Sequence, residues 1–140
     1  MRAASQQPQL TVVVAVYNMK REAPRTLQTL TAQYQDVPRD TYELVVVENG
    51  SSEPLGETTV RSIDAHFQYR WFDSPHPSPA AGINAAVRES KGSSIALLID
   101  GARMLSPGFL RYSMLALRAY QRPIISTLGC HLGSNPQQHS

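Results

Sequence analysis

Three short runs of consecutive apolar residues constrain this chain more than any other feature: Leu10–Val16 (LTVVVAV), Leu44–Val47 (LVVV) and Ile95–Ile99 (IALLI). A strand with one wet face alternates apolar and polar residues. A run with almost no alternation suits a strand buried on both faces, as in a parallel sheet covered by helices. The stretches between the runs have helical spacing. Ala23, Leu27, Leu30 and Tyr34 recur at intervals of four, three and four, one face of a helix in which Pro24 falls at the tolerant first turn. Pro38 and Asp40 mark its end.

The second run closes in Glu48–Asn49–Gly50–Ser51, a turn sequence. A helix is expected over Thr58–Ala65 with Val60 and Ile63 inward. A third strand is expected over Phe67–Phe72 (FQYRWF), followed by a loop with three prolines between Asp73 and Pro79. Ala80–Ser90 reads as a helix with Ile83 and Val87 on its buried stripe and Gly92 as its C′ residue. Ile95–Ile99, the most apolar run, is expected as a central strand ending at Asp100. Ser106–Pro107 reads as N-cap and N1 of a helix to about Tyr120, buried through Leu110, Met114 and Leu117. After Pro123, Ile124–Leu128 is expected to start a fifth strand.

Strand and helix thus alternate along the whole chain. Crossovers of this length demand a mostly parallel sheet, and right-handed ones give a three-layer α/β/α sandwich, Rossmann-like in its winding. The 140 residues fit one domain. Residues 1–9 read as a flexible lead-in, 10–128 as the α/β domain, and 129–140 as an irregular segment, with the domain expected to continue beyond it. A net charge of +2 gives no nucleic-acid footprint. The single cysteine, Cys130, excludes an internal disulfide and a tetrathiolate site, and it reads as a small buried hydrophobe. No signal peptide or membrane span is read, so a cytoplasmic location is expected.

In an open parallel sheet, ligands bind beyond the carboxyl ends of the strands. The first strand ends in Tyr17–Asn18, the second in Glu48–Asn49, the third in Asp73–Ser74 and the fourth in Asp100, so four strands deliver polar groups to one edge. No G-x-G-x-x-G, no P-loop and no G-x-S-x-G occurs. His66, His76, His131 and His139 lack zinc-ligand spacing.

The run TVVVAVYN with the helix through TLQTLTAQY, then YELVVVENGSSE, then AGINAAVRESKGSSIALLIDGARMLSPGFL, resembles the inverting glycosyltransferases of family 2, with the GT-A nucleotide-sugar-binding fold. The resemblance covers about residues 10–128. It implies that Tyr17 and Asn18 border the nucleotide pocket, that Glu48, beside Asn49, contacts the base or ribose, and that Asn84 lines the donor cleft. Asp100 matches the first Asp of the family's D-x-D motif, which helps hold a divalent metal, Mn or Mg, against the donor diphosphate. The sequence departs from that pattern at three points. Ala102 stands at the third motif position and has no oxygen to give. The Glu48–Asn49 pair stands where two Asp are common. Ala81–Gly82–Ile83 precedes Asn84 where an Arg is frequent.

No residue matches the family's catalytic base. The implied role is the donor-binding half of a glycosyltransferase, with a nucleotide-diphospho-sugar as partner and a glycan, lipid or small molecule as acceptor. The alternatives are a catalytically degenerate module of the same fold and an unrelated phosphate-binding or nucleotidyltransferase-like α/β domain.

Overall fold

The structure, a computed structural model, describes residues 7–73, 78–99 and 101–129. Its sheet has four strands, β1 (Leu10–Val16), β2 (Tyr42–Asn49), β3 (Gln68–Phe72) and β4 (Ser94–Leu98), in the order β3-β2-β1-β4. Every pairing is parallel, with Val13 opposite both Val45 and Leu97. Between them run α1 (Ala23–Gln28), α2 (Ala32–Gln35), α3 (Glu57–Ile63) and α4 (Ala80–Glu89), and α5 (Phe109–Ala119) follows β4.

The helices fall on two faces, which makes the expected three layers. On one face Val12, Val14, Val16, Leu44 and Val46 pack against Ala23 and Leu27 of α1, Val60 of α3, and Leu110 and Met114 of α5. On the other, Val13, Val45 and Val47 meet Ala86 and Ile83 of α4. β1 is buried along its whole length because helices cover both of its faces and strands flank both of its edges.

The expected continuous helix through Tyr34 is broken. Thr29 and Thr31 turn their hydroxyls back onto Thr26 O and Gln28 O, and Thr31 Oγ1 then accepts the Tyr34 N–H as the cap of α2. Side chains that bond the local backbone compete with the helix in this way. The start expected for α5 is also displaced. Gly108, with φ at 84°, is its N-cap in place of Ser106. Gly92 is not a helix C′ residue, since α4 ends with Ser90 as C-cap in extended conformation. Its reason is close approach: a Cβ there would lie 2.4 Å from Thr11 N. Val87, expected inward, is exposed, because Gly82 and Ala86 let α4 lie close on the sheet along a different stripe.

Among the described strands, β4 lies outermost, beside β1. Its inner stripe is shielded, but Ile95 and Leu97 remain 40% and 45% exposed because α4 packs over β1, β2 and β3. The expected fifth strand does not form among the described residues: 124–128 pair with nothing, and Ile124 and Leu128 lie in solvent. Handedness supplies the reason. α5 lies on the same face as α1 and α3, whose crossovers step from β1 toward β3. A parallel strand added at the free edge of β4 would step the opposite way over that face, a left-handed crossover, found in only about 2% of such units. Cys130, His76, His131 and His139 lie outside the described residues.

Candidate nucleotide-binding edge

The strand order reverses at β1, so the topological switch point lies between the loops that leave β1 and β4. The residues expected at this edge are brought together in part, and each by an identifiable contact.

Asn18 leaves β1 with φ at 51°, a left-handed conformation that asparagine tolerates better than most residues. Its backbone N–H donates to Ser51 Oγ at 2.9 Å. Its Oδ1 accepts the Ser52 N–H at 2.8 Å and the Ser52 hydroxyl at 3.1 Å. One residue therefore ties the loop after β1 to the loop after β2, and Tyr17 beside it is 58% exposed at the rim.

Val16 pairs with Glu48 across the ladder, so Glu48 and Asn49 sit level with this clasp. They point to opposite faces of the sheet, as adjacent strand residues must. Glu48 has no exposed surface. Its carboxylate accepts the Leu55 N–H at 2.9 Å on both oxygens, the Gly56 N–H at 3.4 Å and the Tyr69 hydroxyl at 2.6 Å. Burial, followed by the hydrogen bond to Glu48 and its charge, pushes the Tyr69 phenol well above its ordinary range. Glu48 thus anchors residues 50–56 from inside. Asn49 is only 3% exposed and its Oδ1 has no hydrogen-bond partner. A buried acceptor left unpaired costs about 1–3 kcal/mol, and among the described residues this atom is the buried side-chain group without a donor.

Asp100 lies outside the described residues, but the loop that follows it is well held. Gly101 packs against β1, where an added Cβ would lie 3.1 Å from Val16 Cγ2 and 3.3 Å from Met19 Sδ. The Thr26 hydroxyl donates to Gly101 O at 2.7 Å, and Thr29 Oγ1 accepts the Leu105 N–H at 3.1 Å. The fully buried Gln35 donates to Ser106 O at 3.1 Å and accepts the Leu110 N–H at 2.9 Å, capping α5 from a distant part of the chain. Asn84 is exposed on the second turn of α4, while Gly82 and Ala86 face the sheet.

Ser51, Ser52 and Tyr69 belong to this edge and went unrecognised in the sequence, as did Thr26, Thr29 and Gln35. For the serines, the turn composition of Asn49–Gly50–Ser51 was a usable signal. For Gln35 there was none, because the two partners it holds at the start of α5 stand more than seventy positions away along the chain.

At the opposite, amino end of the strands, a depression of about 310 Å³ is lined by Thr31, Arg39, Ile63, Asp64 and His66. Its charges satisfy one another. Arg39 donates to Asp64 Oδ1 and lies 2.6 Å from His66 Nδ1, and the His66 N–H donates to Asp64 Oδ1 at 3.0 Å. Burial alone would raise the Asp64 carboxyl. The hydrogen bond from the His66 backbone and the Arg39 guanidinium outweigh it and hold the group below the usual carboxylate range.

Among the described residues, no group of three or more His, Cys, Asp or Glu converges as a metal site; Asp100 lies outside them, and the Ala102 side chain has no oxygen.

An open parallel α/β sheet with polar groups gathered beyond its strand ends, at a reversal of strand order, is the GT-A class of architecture, a nucleotide-sugar-binding fold. The chain belongs to glycosyl transferase family 2, whose pattern it matches over residues 11–117. It is 31% identical over 137 residues to the validoxylamine A glucosyltransferase of Streptomyces hygroscopicus subsp. limoneus, covering 96% of this chain and 29% of the relative. Among solved structures it is similar to TarS 1-349 of S. aureus, with a TM-score of 0.65 at 19% identity over 79% of this chain and 32% of that one. It is also similar to the mannosyltransferase PcManGT from Pyrobaculum calidifontis, solved in complex with GDP-Man and Mn2+. There the TM-score is 0.54 at 26% identity, over 74% of this chain and 30% of that one. The chain spans less than a third of the length of each of these proteins. No helix among the described residues is long and apolar enough to cross a membrane.

Proposed function

We propose that this chain holds the nucleotide of a nucleotide-diphospho-sugar at the strand carboxyl ends and serves as the donor-binding half of an inverting glycosyltransferase. The observation that carries the reading is Asn49 Oδ1, buried and unpartnered at the end of β2. A nucleobase edge supplies the N–H donor that this acceptor lacks. Tyr17 offers an exposed aromatic rim, and the Asn18 clasp keeps the β1 and β2 loops in fixed relation. Glu48 acts as a positioning residue that shapes the 50–56 loop from beneath. Asp100 and the tethered loop after it are assigned to the diphosphate side of the crevice, and Asn84 has no role in this reading. The acceptor hydroxyl and its catalytic base are assigned to no residue of this chain.

Calorimetric titration of UDP, GDP, dTDP and CDP, each with and without Mn2+, tests the proposal. Saturable binding of one nucleotide is expected, weakened about tenfold or more by Asn49→Ala. A chain shown to be folded that binds none of the four refutes it. Ala102 favours a second reading, a family member that binds donor without turning it over. Donor hydrolysis or transfer by the complete protein excludes that reading.

A further inference from the structure

Given the donor site proposed above, on which this step rests, we infer that Thr26 is a positioning residue for the donor diphosphate. With Thr29 and Gln35 it fixes the loop that leaves β4, residues 101–106, against the end of β1.

All three side chains are polar and buried. Buried polar groups are costly unless each finds a partner, and these find theirs in that one loop and in one another. A threonine inside a helix commonly turns its hydroxyl to the carbonyl one turn back. Thr26, in α1, instead donates to Gly101 O at 2.7 Å, seventy-five positions along the chain. Thr29 donates to Thr26 O at 2.7 Å and accepts the Leu105 N–H at 3.1 Å. Gln35 donates to Thr29 O at 2.6 Å and to Ser106 O at 3.1 Å. The loop is thus gripped at both ends by a connected set of buried hydrogen bonds.

Gly101 is held a second way. A Cβ on it would lie 3.1 Å from Val16 Cγ2 and 3.4 Å from Ala23 Cβ, so its backbone packs between the end of β1 and the start of α1. Val16 leads directly into Tyr17 and Asn18, and Asn18 clasps Ser51 and Ser52. Both walls of the switch-point crevice are therefore fixed, one by Asn18 and the other by Thr26. The carbonyl that Thr26 holds belongs to the residue next after Asp100 in the chain. A loop ordered before a ligand arrives loses little further freedom on binding. The diphosphate, the part of the donor assigned to this wall, is the part that depends on the tether.

Calorimetric titration of UDP, GDP, dTDP and CDP, each with Mn2+, into the whole chain and its variants tests the inference. Thr26→Val keeps the side-chain shape and removes the hydroxyl. It should weaken binding of the nucleotide that the parent takes by about five- to tenfold. The matching monophosphate (UMP, GMP, dTMP or CMP) should lose about twofold or less. Thr26→Ser restores the hydroxyl and should bind the diphosphate within about twofold of the parent. Asp64→Asn, at the opposite end of the strands, controls for a general loss of stability and should leave the affinity unchanged. Where Thr26→Val does not fold, Thr29→Val, which cuts the Leu105 bond, carries the same expectation. Parent-like diphosphate binding by the valine variant overturns the inference and leaves the donor site standing. So does a loss that Thr26→Ser fails to recover, that Asp64→Asn shares, or that falls equally on the monophosphate. A folded parent that binds none of the four diphosphates overturns the donor-site reading and this inference with it.

Discussion

Replacing Glu48 tests whether the carboxylate at the end of β2 is a structural anchor. In the wild type it accepts two close donors, the Leu55 N–H at 2.9 Å and the Tyr69 hydroxyl at 2.6 Å, and a longer one from Gly56 at 3.4 Å, with no surface exposed to water. Glu48→Ala leaves the two close donors buried without an acceptor, at about 1–3 kcal/mol each, and opens a small void between β2 and α3. The expected loss is about 3–5 kcal/mol, against a total of roughly 7–20 kcal/mol for a chain of this length. With a urea slope of about 2 kcal/mol/M, the midpoint should fall by about 2 M. Glu48→Gln keeps one carbonyl oxygen and presents an amide to Tyr69, whose hydroxyl can turn to accept. It should cost about 1–2 kcal/mol. A cycle with Tyr69→Phe should show coupling of about 1 kcal/mol. The assay is equilibrium urea unfolding followed by circular dichroism and tryptophan fluorescence. A Glu48→Ala midpoint within about 0.3 M of wild type would refute the anchoring role and return Glu48 to the solvent side of the edge.

Gly92→Ala should destabilise by about 3 kcal/mol or more, since its Cβ meets the Thr11 and Leu10 backbone at 2.4 and 2.6 Å; unchanged thermal unfolding would remove the close-approach argument. Leu98→Asp places a carboxylate among the residues packed beneath α5 and should yield a chain without cooperative unfolding; a soluble, cooperatively folded product would overturn the inward placement of Leu98. Asp64 is held below its ordinary pKa of 3.8, so its contribution is complete above that pH and is lost as pH falls through the lower folded value. Asp64→Asn should cost about 1 kcal/mol at pH 7, because Arg39 is half exposed, and should flatten the fall in stability below pH 4. An acid limb identical in both proteins would sink that assignment.

Only part of the edge could be read along the chain. Glu48, Asn49 and Asn18 were recognisable as polar residues ending apolar runs, because strand length and a turn sequence are local properties. Their division of labour was not. Whether Glu48 or Asn49 faces the helix layer of α1, α3 and α5 depends on the register against β1, and register is set by both strands together. Glu48 fell to the side where Leu55 and Tyr69 supply donors, and Asn49 to the side where Oδ1 finds none. The error over Val87 has the same origin. Several helical stripes of α4 carry apolar residues, and the sheet selected the one with Gly82 and Ala86 because small residues allow closer packing.

The sequence by itself determined the element types and the class of fold. Runs such as VVVAV and LVVV tolerate no wet face, and helical stretches between them permit only parallel crossovers. Tertiary structure decided where each strand stands and which groups meet. β4, the most apolar strand, stands outermost among the described strands because β1 already carries β2 on its other side, and handedness disfavours α5 delivering a parallel neighbour beyond it. Tertiary structure also decided that Thr26, Thr29 and Gln35 hold the loop after Asp100. Those hydrogen bonds join residues more than seventy positions apart, and no local pattern encodes a contact that exists only once the sheet has formed.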